Sequence, residues 1–157
     1  MERQVPEKTI KYIHPSYPLT EEETEVIRQC QYIRRKVFIE GQNVDEHIEL
    51  DGKDQQFDHL LLYYGGTPAG CLRINTSSNS RVKLERLAVL HAYRNLGLGT
   101  SLLHKAIALC LEQGNENIIM HAQYYLLDYY RRLGFSPIGR PFFEAEIKHI
   151  KMYYIGI

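Results

Sequence analysis

The chain has 157 residues, 44% of them hydrophobic and 24% charged, a balance that suits one globular domain over residues 1–157 and excludes a disordered chain. Lys and Arg number 19 and Asp and Glu 19, so the net charge is zero and offers no broad basic face to nucleic acid or to a membrane surface. No apolar run reaches the roughly 20 residues of a membrane helix, and the opening MERQVPEKTI lacks the apolar core of a signal peptide. Cys30, Cys71 and Cys110 each sit in an apolar stretch and read as buried free thiols, which points to a reducing, cytoplasmic setting.

Taken in chain order, KTIKYIH (Lys8 to His14) alternates and predicts a first strand. A helix follows with a marked start, because Thr20 and Glu23 have the spacing of a capping box. Its apolar face carries Val26, Ile27, Cys30, Ile33, Val37 and Phe38. The acidic stretch from Glu40 to Asp58 reads as a long loop or a short helix plus loop, solvated, with attraction of a cationic acceptor as the alternative. HLLLYYGGTPAGCLRINTS predicts a hairpin turning at Gly65-Gly66, and Arg81 to Leu90 another strand. TSLLHKAIALCLEQG predicts a helix stopped by Gly114, NIIMHAQ a short buried strand and YYLLDYYRRLGF a second short helix ending at Gly134. The remaining residues return to strand-like alternation.

The informative segment is the loop Arg94-Asn95-Leu96-Gly97-Leu98-Gly99 between the apolar strand and its helix. A helix start offers unpaired backbone N–H groups and a partial positive charge, a natural seat for phosphate. Gly97 and Gly99 would let the backbone come close, and Arg94 would add a charge-assisted bond. The competing reading is a tight turn without a ligand. The loop ends Gly-Thr-Ser rather than Gly-Lys-Ser/Thr, which excludes a Walker loop. Leu102 replaces the third small residue of a dinucleotide fingerprint, and no acidic residue ends the next strand.

A strand, then Arg-x-x-Gly-x-Gly, then a helix resembles the acetyl-coenzyme A loop of the GNAT superfamily of N-acetyltransferases. YYLLDYYRRLGF is similar to that superfamily's last helix. IRRKVFIEGQNVDEHIELDGKD, FDHLLLY and FFEAEIKHIKM resemble its ElaA-like branch, with Gly41 standing where a glutamate is expected. The resemblance implies an α/β (α+β) fold: a mixed, twisted, mostly antiparallel sheet, splayed between the fourth and fifth strands and flanked by helices. It implies acetyl-coenzyme A as donor, with main-chain groups of Leu87, Ala88 and Val89 along its pantetheine arm. The residues Arg94, Asn95, Leu96, Gly97, Leu98, Gly99 and Thr100 would hold the pyrophosphate, and Gln123 stands where relatives carry asparagine. The implied reaction is direct acetyl transfer to a primary amine of a small molecule or peptide. A coenzyme A-binding regulatory module is the alternative, and the family makes a homodimer an expectation.

Within that reading Tyr130 is the candidate acid, weighed against a packing tyrosine beside Tyr124, Tyr125 and Tyr129. Glu85 is the candidate base, weighed against a solvated or salt-bridged strand residue. Simple alternation puts Lys83, Glu85, Leu87 and Val89 on one face. Glu144 and His149 are placed on the acceptor side, His149 read as a structural hydrogen-bonding residue with a base near neutral pH as the alternative, and His59 at a strand start is read as structural. His14, His47, His91, His104 and His121 show no metal spacing, so no metal is expected.

Overall fold

The computed structural model describes residues 2–156, so the two end positions of the expected 1–157 domain lie outside them. Seven strands form one sheet: β1 Lys8–Ile13, β2 Asp58–Tyr64, β3 Thr67–Asn75, β4 Val82–Val89, β5 Ile118–Gln123, β6 Phe135–Glu144 and β7 Ile147–Tyr154. Their spatial order is β1-β2-β3-β4-β5-β7-β6, and every neighbouring pair is antiparallel except β4 with β5. Helices α1 (Glu21–Arg34), α2 (Glu46–Glu49), α3 (Leu98–Glu112) and α4 (Leu127–Arg132) flank it.

Local chemistry sets the element ends. Thr20 accepts from the Glu23 amide at 3.1 Å, and Glu23 reaches back to the Thr20 amide at 3.4 Å, the expected capping box. Past Arg34 the helix widens into a π-helical segment, Arg35–Glu40, which carries Val37 and Phe38 onward over the sheet. Gly65 and Gly66, at φ 60° and 81°, make the hairpin turn that joins β2 and β3. Helix α3 ends as predicted at Gly114 (φ 83°), where the Asn115 amide bonds back to the Cys110 carbonyl at 2.9 Å.

The two faces of the sheet bury separate cores. On one, α3 places Leu102, Leu103, Ala106 and Cys110 against Leu60, Leu72, Leu84 and Met120, with Tyr130 and Phe135 joining from the α4 side. On the other, Val26, Ile27, Cys30 and Ile33 of α1 cover Leu61, Cys71 and Ala88. All three cysteines are buried and free.

The split in the sheet follows from the register. β4 and β5 pair only at Val82↔Ile118, Lys83↔Ile119 and Leu84↔Met120. Beyond that rung β4 keeps β3 as its neighbour and β5 keeps β7, so the two strands part. Their facing backbone edges then have no sheet partner.

Candidate active site

A cavity of about 550 Å³ occupies this split, with residues of β4, β5, β7, α3 and α4 in its walls. A smaller hollow of about 230 Å³ adjoins it at the start of α3, and Val89, Arg94, Asn95, Gly99 and Tyr129 line both.

The loop into α3 has the geometry of an anion seat. Asn95 and Gly97 are left-handed at φ 66° and 73°, and Gly97 is the N-cap without a side-chain bond to the free amides that follow. Asparagine tolerates that region better than most residues, and glycine adopts it without a Cβ penalty. Gly99 has a different role. A Cβ there would lie 3.6 Å from the Tyr129 hydroxyl and 3.9 Å from Val89, ordinary contacts. The chain's own packing therefore does not require glycine at 99, whereas a bare backbone facing the hollow suits a phosphate. Arg94 presently turns its Nε to the Val89 carbonyl at 3.3 Å, and Thr100 shares a 2.8 Å hydrogen bond with the hydroxyl of Tyr129. Leu96 is half exposed on the outer side of the turn.

Along β4 a bulge changes the expected facing. Arg73 pairs with Glu85 and Cys71 with Ala88, so Arg86 and Leu87 together oppose Leu72, and Arg86 takes φ 58°. The extra residue reverses the alternation. Lys83, Glu85 and Ala88 face α1, whereas Leu87 and Val89 pack with the α3 core. Lys83, Glu85, Leu87 and Val89 therefore do not share one face, a correction to simple period-two counting. The Leu90 amide bonds to the Ala69 carbonyl at 2.9 Å, so antiparallel alternation turns the backbone of Ala88 toward β3 and that of Val89 toward the cavity. Of the three residues expected to offer backbone to the donor, Ala88 thus spends its groups on the sheet.

Glu85 lines the cavity and is engaged: Arg73 donates from Nε at 2.8 Å, and Lys83 stands at 3.5 Å. It belongs to a buried ion cluster of Arg34, Arg73 and Arg86 with Glu49, Asp51, Asp54 and Glu85. Arg34 and Arg73 are almost wholly buried, and both bond Oδ1 of Asp54. Burial alone would raise the Asp54 carboxyl, but the two guanidinium groups outweigh it and hold it below the usual range. The acidic stretch is therefore a solvated loop only in part, with Glu40, Asp45 and Glu46 exposed. Glu49, Asp54 and Asp58 are buried, because arginines from α1, β3 and β4 and the hydroxyl of Tyr12 turn them inward. His59 is buried nearby and donates from Nε2 to the Asp54 carbonyl at 2.7 Å, in line with a structural role.

Tyr130 projects from α4 into the cavity wall beside Tyr129 and Phe135. Burial pushes its phenol well above the ordinary range, so it stays protonated. Tyr129, which adjacency in sequence alone does not single out, lines the smaller hollow at the start of α3 instead. Gln123 lines the cavity, but its amide donates at 2.8 Å to Gln42, beyond the π-helical segment. Glu144 and His149 come together on the β6–β7 hairpin, with Glu144 Oε2 3.8 Å from His149 Nε2. Sequence reasoning missed the third member, His121 of β5, whose Nδ1 is 3.3 Å from Glu144 Oε1. Only the strand register brings it there.

Residues 20–155 match the family model described as an acetyltransferase (GNAT) domain. The chain belongs to the GNAT acetyltransferase family. It is accordingly an acyltransferase. Bacillus subtilis YyaT is 34% identical over 129 residues, covering 80% of this chain and 86% of that protein. The B. subtilis N-acetyltransferase YjcF is 28% identical over 129 residues, covering 82% and 91%. Among solved structures, an acyl-CoA N-acyltransferase from Pseudomonas aeruginosa has TM-score 0.77 at 27% identity, covering 95% of this chain and 99% of that one. Escherichia coli ElaA shares the fold at TM-score 0.79 and 23% identity, covering 94% and 99%.

Proposed function

We propose that the protein transfers the acetyl group of acetyl-coenzyme A to a primary amine of a small molecule or peptide, directly within a ternary complex. The observation that carries this reading is the uncapped start of α3, with Gly97 left-handed and Gly99 bare, opening into the cavity where β4 and β5 part.

The amides from Leu98 to Thr100 would hold the pyrophosphate, with Arg94 exchanging the Val89 carbonyl for phosphate oxygens. The pantetheine arm fits the open edge of β4, where the Val89 backbone lacks a strand partner. Bound there, the donor supplies an activated thioester. An amide of the Leu87 to Val89 segment on that edge would stabilise negative charge on its carbonyl oxygen.

Tyr130 serves the leaving sulfur. A thiol has a reference pKa near 8.5, and burial holds the Tyr130 phenol far above that. Full proton transfer to the thiolate is therefore uphill, so Tyr130 acts by donating a hydrogen bond to sulfur. Glu85, tied to Arg73, shapes the acceptor half of the cavity rather than standing free in it.

The test is thiol release from acetyl-coenzyme A with a panel of primary amines, each product checked by mass for the added acetyl group. Amide formation that depends on protein is expected. Saturable acetyl-coenzyme A binding with no amide from any amine would leave the coenzyme A-holding module in its place.

A further inference from the structure

Three strands bring His121 (β5), Phe142 and Glu144 (β6) and His149 (β7) onto the α1 side of the sheet. Phe142 stacks on His149 with centroids 6.0 Å apart and meets His121 in a T-shaped contact at 5.0 Å. Glu144 is carried to the rings by a two-residue turn, Ala145-Glu146, at φ 50° and 63°. Neither residue is glycine, so this tight turn is held against its local preference.

The contacts decide where the protons sit. An ionised carboxylate only accepts, so His121 carries its hydrogen on Nδ1, facing Glu144. A neutral imidazole has one N–H, which leaves a lone pair on Nε2. Among the described residues only Glu144 hydrogen-bonds the His121 ring, and that ring is 26% exposed on the cavity wall. His149 is more enclosed, at 9%, and donates from Nδ1 to the Ile147 carbonyl at 2.7 Å. The Glu144 carboxyl is pulled down to about 2, chiefly by the His121 hydrogen bond, with burial opposing and the charges of His121, Lys83 and His149 helping.

Position completes the argument. Leu84↔Met120 is the last rung between β4 and β5, so His121 is the first β5 residue inside the split. Tyr130 enters the same cavity from α4, on the other side of the sheet. Reacting atoms seated in the split would lie between the two.

We propose that His121 is the general base of the transfer and that Glu144 is the positioning residue that holds its tautomer. This rests on the acetyl-transfer reading above. An alkylamine arrives as an ammonium ion. One proton leaves it through His121 Nε2 to bulk water. The nitrogen lone pair then forms the N–C bond while the C–S bond breaks and leaves its electron pair on sulfur. The second amine proton passes to His121 Nε2, and the thiolate takes up one from solvent. The products are the amide, the free thiol and one released proton.

The charged neighbours fit this role. Around His121 stand Glu144, Lys83 of β4 and Lys151 of β7, and His149 shares Glu144. Glu85 is bound to Arg73, and Glu49 lies 3.1 Å from Arg86. Among the described residues no group of three His, Cys, Asp or Glu is placed to hold a metal ion.

Two measurements test the proposal. Nitrogen-15 spectra of the histidine rings should show neutral His121 protonated on Nδ1 and bare on Nε2, a preference lost in Glu144→Ala. A ring protonated on Nε2 instead overturns the proposal. The kinetic arm uses tyramine, an ammonium ion at the assay pH, and hydroxylamine, already neutral there. His121→Gln should lower kcat for tyramine on the order of 10²- to 10⁴-fold, lower it less for hydroxylamine, which has only the second proton to lose, and leave acetyl-coenzyme A affinity unchanged. Equal losses with both amines, or unchanged turnover with tyramine, contradicts a base role. If the parent binds acetyl-coenzyme A yet acetylates neither amine, that counts against the transfer reading, and the ring spectra still decide His121.

Discussion

Arg73 holds Glu85 across the β3–β4 ladder, with Nε and Nη2 at 2.8 and 2.7 Å from one carboxylate oxygen. The same guanidinium bonds Asp51 and Asp54. Replacing it with an uncharged chain would take one guanidinium partner from three carboxylates in a largely buried cluster. Arg73→Met should therefore lower unfolding free energy by about 3–5 kcal/mol, the range for breaking a buried ion pair. Urea denaturation checks this; a midpoint equal to the parent's would show that the cluster contributes nothing net.

Glu85→Gln separates two roles for the same residue. If Glu85 mainly anchors Arg73, the variant loses stability, by about 1–3 kcal/mol for a hydrogen bond to a charged group, and keeps the shape of the pH–rate profile. A vanished acidic limb with unchanged stability would make Glu85 the base after all.

Gly99→Trp should weaken acetyl-coenzyme A binding by at least about tenfold, or 1.4 kcal/mol, because the indole would fill the bare backbone at the start of α3. Calorimetry reads the affinity, and urea denaturation confirms that the variant is folded. Parent-like affinity would contradict the loop assignment.

Tyr130→Phe keeps the buried ring and removes the donor. Affinity for acetyl-coenzyme A should hold, while turnover falls on the order of 10²-fold, the usual cost of losing a donor aimed at developing charge. Unchanged turnover would return Tyr130 to packing alone.

Much of this molecule was legible in its sequence where the signal was local. Thr20 and Glu23 mark the start of α1, Gly65-Gly66 the hairpin, Gly114 the end of α3, and the Arg94 to Gly99 loop the turn into α3. What was missed depended on distant partners. Nothing in the acidic stretch shows that Arg34 and Arg73, far off in the chain, will bury Glu49 and Asp54. The bulge at Arg86 overturned the facing of Glu85 because a strand pattern carries no mark of one extra residue. His121, Glu144 and His149 meet only through the β5–β7–β6 register, which the sequence does not specify on its face.

Glu23 links pH to stability. Hydrogen bonds from Ser16 hold its carboxyl down at about 2 in the folded chain, against an ordinary value near 4.3. A lowered folded value stabilises the protein fully above the ordinary value, and that stabilisation is lost as pH falls toward about 2. Glu23→Gln should flatten the stability profile across that window and leave it parallel to the parent's at higher pH. Thermal melts against pH measure this, and an unchanged acid slope would contradict it.

The most direct test of the central claim is calorimetric titration of the protein with acetyl-coenzyme A, with ATP and NADH as controls. Saturable binding of acetyl-coenzyme A in preference to both nucleotides, in a one-to-one ratio, is the predicted result. A folded protein that does not bind acetyl-coenzyme A would contradict the assignment of the α3 hollow and the transfer built on it.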